Sequence, residues 1–146
     1  MTRPIAGILA GLIATAILSL LMLLKGMMGL MPDLDVIGMI DGMMGAGLAM
    51  GWGAHFVIGA LYGLVFAFVF GNIETSSAVI RGIVLGLAGW LFMMVVLLPM
   101  AGGGLFGAAM PSGMMVPVAT LMLHAIFGAA LGASYAALRS YYPVTA

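Results

Sequence analysis

The chain contains no cysteine, so neither a disulfide framework nor a thiolate metal site is open to it. Charge is almost as scarce. Four Lys or Arg and four Asp or Glu make up 5% of 146 residues and leave no net charge. A soluble domain carries about 25% charged residues to cover its water-facing surface, so the chain is read as a membrane protein. The zero balance offers no basic patch for nucleic acid and no acidic tail. Acidic residues are also missing from every long apolar run: Asp33, Asp35, Asp41 and Glu74 all fall in connections. Antiport driven by an intramembrane carboxylate, as in a small multidrug transporter, therefore has no support. No base stands in register with a Ser or Thr for a catalytic dyad. Gly102-Gly103-Gly104 lacks the Lys and the strand of a phosphate loop. No enzyme is expected.

What is present is apolar, small and rich in methionine: 65% hydrophobic residues, 23 Gly and 16 Met. Ile5 to Leu24 is an uncharged span of 20 residues, longer than the roughly 7–15 residues of a signal-peptide core. It is expected to be a retained first transmembrane helix, running from Pro4 to about Leu24. Pro4 suits a first turn, where its missing N–H costs nothing. Thr15 and Ser19 can bond back to their own helix. Three further spans are expected over about Ala46–Phe70, Arg81–Leu98 (stopping at Pro99) and Pro117–Leu138. Trp52 near the start of the second span, and Arg139, Tyr141 and Tyr142 at the end of the fourth, suit the aromatic and basic belts of a bilayer.

Between the first two spans, Pro32-Asp33 reads as the start of a short interfacial helix, with Leu34, Ile37, Ile40 and Met44 at helical spacing. The stretch from Asp33 brushes against a calcium-loop pattern and fails it, with Ile37 at the fifth position and Met44 where Glu is required. Ala101 to Pro117, with its three consecutive glycines and Pro111, is expected to be an irregular outer loop, re-entrant or not.

The small residues recur every fourth position. Gly47, Gly51, His55, Gly59 and Gly63 stripe one helix; Thr120, His124, Gly128 and Gly132 stripe another; Gly7 and Gly11 mark the first, Gly82 and Gly86 the third. Such small-xxx-small faces let helix backbones approach closely. The first and third helices align at an offset of 75, the second and fourth at 69, which suggests a duplication: repeat 1 over 4–71, a polar connection over 72–80, repeat 2 over 81–140. Two spans per copy imply a parallel repeat about an axis along the membrane normal. Arg3, Arg81 and Arg139 lie on one side and only Lys25 on the other, which places both termini in the cytoplasm of a cell whose plasma (inner) membrane holds the chain.

His55 and His124 each lie about 15 residues, or about 22 Å, before the cytoplasmic end of their helix, in the outer part of the bilayer. An imidazole at that depth is a candidate functional site. The pair could ligate one b-type haem axially. They could instead hold Cu(I) with thioether donors, of which Met44, Met50 and Met122 are candidates, or relay protons. A purely architectural role is to bond across helices and pin their register. Facing glycine stripes would leave no slot for a macrocycle, so haem needs those stripes to pack on the first and third helices. Apart from Met1, the methionines fall in the outer halves of helices or the outer loops. They suit copper capture, or adaptable packing against partner subunits.

Taken with the Gly-rich first and third helices, the His-x-x-x-Gly-x-x-x-Gly segments at His55 and His124 resemble the small uncharacterised four-helix membrane proteins of prokaryotes. That resemblance carries no activity. The expectation is an all-α, four-span bundle of two parallel hairpins forming one membrane domain over residues 1–146. It would act through helix contact as an accessory subunit of a membrane complex or as a homo-oligomer. The alternatives are a haem or copper carrier using His55 and His124, and a small transporter.

Overall fold

The computed structural model describes residues 1–71 and 77–141. Glu74 and Tyr142, to which the sequence assigned a connection and an anchor, lie outside the described residues. The described chain is all-helical. Helix α1 spans Arg3–Met27, α2 Val36–Met44, α3 Leu48–Phe70, α4 Ala78–Met100 and α5 Met115–Tyr141. All except α2 are long and apolar enough to cross a membrane.

The bounds differ from expectation in two instructive places. The short helix begins at Val36, not at Pro32-Asp33, because Asp35 in extended conformation takes the N-cap and accepts from the Gly38 amide at 2.9 Å. Helix α4 passes through Pro99 rather than stopping before it. Residues Met93–Leu97 form a π turn in which the Leu98 amide bonds to the Met93 carbonyl. That wide turn moves the hydrogen-bond register just where Pro99 has no N–H to give, so the helix survives to Met100.

Backbone contact holds each hairpin together. An added Cβ on Gly7 would overlap the Gly63 carbonyl oxygen, and one on Gly11 would overlap that of Gly59. In the second hairpin Gly82 stands in the same way against Gly128, and Gly86 against His124. Without a hydrophobic drive between helices in lipid, association depends on such close van der Waals fit. Thr15 and Ser19 return their hydroxyls to Gly11 and Thr15 carbonyls, each at 2.8 Å, and so sit buried without a cross-helix partner.

Helix α1 packs on both α3 and α5, and α4 packs on α5, while α3 and α4 meet only sparsely. The order α3–α1–α5–α4 therefore closes one side of the bundle and leaves the other slightly parted. At the end bearing the termini the centre is filled by Phe66, Phe127, Leu131 and Tyr135 over the alanines of α1. Arg139 there donates to the Gly71 carbonyl at 3.0 Å. At the opposite end, where α2 lies against α3, a smaller cluster of Leu34, Met94, Leu98 and Val116 packs beneath the loops.

Candidate functional site

Between the hairpins, in the half nearer α2, lies a cleft of about 430 Å³. Its floor is aromatic. Tyr62 meets Phe127 edge to face with ring centroids 5.5 Å apart, and the Tyr62 hydroxyl sits so tightly on Gly89 that a Cβ there would overlap it. Its roof is α2, through Val36, Met39, Ile40 and Met43. Thr15 and Met22 of α1 form one wall, Phe92, Met93 and Leu97 of α4 another. Both histidines line this one space.

The two imidazoles are held differently. His124 Nδ1 stands 2.8 Å from the Thr120 carbonyl oxygen. A carbonyl only accepts, so Nδ1 carries the proton and the neutral ring keeps its lone pair on Nε2. His55 is 8% exposed, flanked edge-on by Trp52 and Phe56 on its own helix, and its Nε2 is buried with no hydrogen-bond partner. An unsatisfied buried nitrogen costs about 1–3 kcal/mol. A group that bonds to His55 Nε2 would remove that cost.

The matched heights implied by the 69-residue spacing are not those of the helix crossings. Gly63 and Gly128 occupy equivalent places against Gly7 and Gly82, and Gly59 and His124 against Gly11 and Gly86. Those pairs lie 65 residues apart, one helical turn short of the sequence alignment. His55 therefore corresponds to Thr120 by packing. Trp90 occupies the position in α4 that Thr15 has in α1. Its indole N–H reaches the Pro117 carbonyl and Thr120 Oγ1, both at 3.1 Å.

The other residues singled out in the sequence are dispersed. Met44, Met50 and Met122 are exposed and do not line the cleft; its thioethers are Met22, Met39, Met43 and Met93. Gly47 is no packing glycine, since it caps α3 at φ 89° with open space around it. Gly51 packs on Ile37 of α2, and Gly132 on Ala78. The glycine stripes of α3 and α5 thus face α1 and α4, not each other, which is what leaves room between the hairpins. Tyr62, Thr15, Gly89 and Met93 were not foreseen as cleft residues. Tyr62 falls one heptad after His55, a spacing that puts both on one face, whereas the π turn that presents Met93 has no sequence signal.

The loops at the α2 end are stitched to one another. Asp33 accepts from the Ser112 hydroxyl at 2.5 Å and from its amide at 3.1 Å, joining the α1–α2 and α4–α5 connections. The Ser112 hydroxyl, then its amide, hold the Asp33 carboxyl below its ordinary value of 3.8. Lys25 Nζ donates to the Met31 and Leu34 carbonyls at 2.9 and 2.8 Å, and Asp41 accepts from the Gly47 amide at 2.5 Å. Asp33, expected at the helix start, acts instead as a loop fastener, and the cap falls to Asp35.

The fold defines a protein with four helices of membrane-spanning build, one short helix, and an imidazole-lined cleft between two hairpins. Residues 1–144 match the model of a family of unknown function, DUF6789, and the chain belongs to that family. Neither the curated proteins nor the solved structures give a match.

Proposed function

We propose that this protein is an intramembrane carrier, not an enzyme, which holds a ligand in the cleft between its hairpins with His55 and His124 as the polar contacts. The observation that carries this reading is the His55 Nε2, buried and unpartnered, on a residue that lines a mostly apolar space. Pockets of about 300–1,000 Å³ with few polar groups are the usual form of small-molecule sites. The sparse contact between α3 and α4 supplies an approach from the lipid side.

The chain would cross the plasma membrane four times with both termini in the cytoplasm, since Arg3, Arg81 and Arg139 cluster at the terminal end. Single cysteines introduced at Met28 and Ser140 test this cleanly in a chain that has none. An impermeant thiol reagent should label M28C and spare S140C in intact cells; the reverse pattern overturns the orientation.

For the carrier itself, the test is the absorption spectrum, metal content and solvent extract of protein purified from its own membranes. A stoichiometric bound species that is lost in H55L supports the reading. Protein with nothing bound, or a species indifferent to H55L and H124L, overturns it.

A role as accessory subunit or homo-oligomer keeps one specific observation. Met27, Met28 and Met114 are among the most exposed side chains, all at the α2 end, where adaptable apolar surface suits a partner. Apart from Gly47, the glycine stripes that first suggested such contact are engaged within the chain itself. A monodisperse monomer in mild detergent with no co-purifying protein counts against this role.

A further inference from the structure

Beside the cleft lies a second, shallower space of about 480 Å³, bounded by Asp33, Asp35, Met39, Met43 and Met100. Met39 and Met43 line both spaces and stand one turn apart on α2. The two spaces thus adjoin at a pair of thioethers, the shallower one a vestibule to the deeper chamber only in position. Inside, Met22 and Met93 join His55 and His124.

From this arrangement, and resting on the reading of the cleft as a ligand site, we infer that the cargo is Cu(I), drawn in at the vestibule and held by imidazole and thioether in the chamber. Cu(I) is soft and favours exactly these donor types. Carrying one charge, it needs no carboxylate beside it, and the chamber has none. The carboxylates stand only at the vestibule, where Asp33 and Asp35 raise the local concentration of cations without following them inward. A hard divalent ion would require a set richer in oxygen. Among the described residues no three His, Asp or Glu come together to provide it.

The histidines fit the same role. Metal-ligating imidazoles almost always donate their second nitrogen to a carbonyl or carboxylate, as His124 Nδ1 does to Thr120. The buried Nε2 of His55 makes no hydrogen bond and so has its bonding capacity unused. A tetrapyrrole is served less well, because its propionates need cations. Lys25, the sole Lys or Arg at that end, already donates to two carbonyls.

The test is anaerobic competition for Cu(I) between the full-length protein in detergent and the chromogenic chelator bicinchoninate, with Ag(I) as a redox-inert parallel. The expected result is one Cu(I) per chain. Affinity should fall by more than about tenfold in H55L and in H124L, and transfer from the chelator should slow in M39L/M43L. M93L, which conserves volume, probes the chamber should a histidine variant fail to fold. Wild-type protein that competes no better than H55L/H124L, or binding unaffected by M93L and by both histidine changes, overturns the inference. An organic ligand or haem that is lost in H55L, without uptake of Cu(I), overturns copper alone and leaves the carrier reading standing.

Discussion

Gly86 of α4 lies against the backbone carbonyl of His124, so closely that a Cβ at Gly86 would overlap it. The height of that imidazole is therefore set by a helix crossing and not by its own side-chain bonds. Its counterpart in the first hairpin is Gly11 against Gly59, which leaves His55 a full turn beyond the crossing.

Replacing Gly86 by Ala should force the second hairpin apart. Overpacking of this kind costs about 1–3 kcal/mol. The expected outcome is a lower melting temperature in detergent together with weakened ligand binding through His124. Gly53, whose Cβ would meet open space within α3, is the control. G53A should leave stability unchanged or raise it slightly, as helical Gly→Ala changes do by up to about 1 kcal/mol.

His55 should trade stability for binding. H55L removes a buried nitrogen that has no partner and should raise the melting temperature of ligand-free protein, within the roughly 1–3 kcal/mol that such a group costs. The same change should abolish ligand-dependent stabilisation. A melt of both proteins with and without ligand checks the two signs at once; H55L less stable than wild type in the ligand-free state would mean the nitrogen is satisfied.

The joint between the loops should respond to acid. Asp33 is held below its ordinary value by Ser112, so its contribution is present in full above 3.8, the unfolded value, and is lost as pH falls through the lower folded value. Above 3.8, D33N and S112A should each melt earlier than wild type. The difference should shrink as the pH is taken well below 3.8 and close once Asp33 is protonated. Melting curves for the three proteins across that interval decide it.

Lys25 should control the roof of the cleft. K25M removes the donor to the Met31 and Leu34 carbonyls, bonds of the charge-assisted kind worth about 1.5–3 kcal/mol each at most. Faster amide exchange is expected in the segment leading into α2 and in α2 itself, with exchange in α5 unchanged. Uniform acceleration throughout the chain would instead indicate a global loss of stability.

Four apolar spans and a short helix before the second could be read directly, because uncharged runs of about 20 residues have few other fates. His55 and His124 could be singled out because an imidazole in such a run is conspicuous. The error at Asp33 arose because Asp33 and Asp35 both offer a capping carboxylate, and only the loop from α4 to α5 decides that Ser112 takes the first. The error at Pro99 arose because a π turn depends on local hydrogen-bond register, which proline alone does not announce. The choice of Met44, Met50 and Met122 failed for a simpler reason: methionine carries no sign of which side of its helix faces inward.

What the chain determines by itself is thus local: apolar length, helix, and the bare faces that small residues create at every fourth position. What the tertiary structure decided is relational. The one-turn slip between the hairpins, the parting of α3 from α4, and the meeting of two histidines and four methionines around one space depend on contacts between residues far apart in sequence. Glycine and alanine permit close approach at several registers, and only the packed side chains around them, Trp90 and Thr15 foremost, select one.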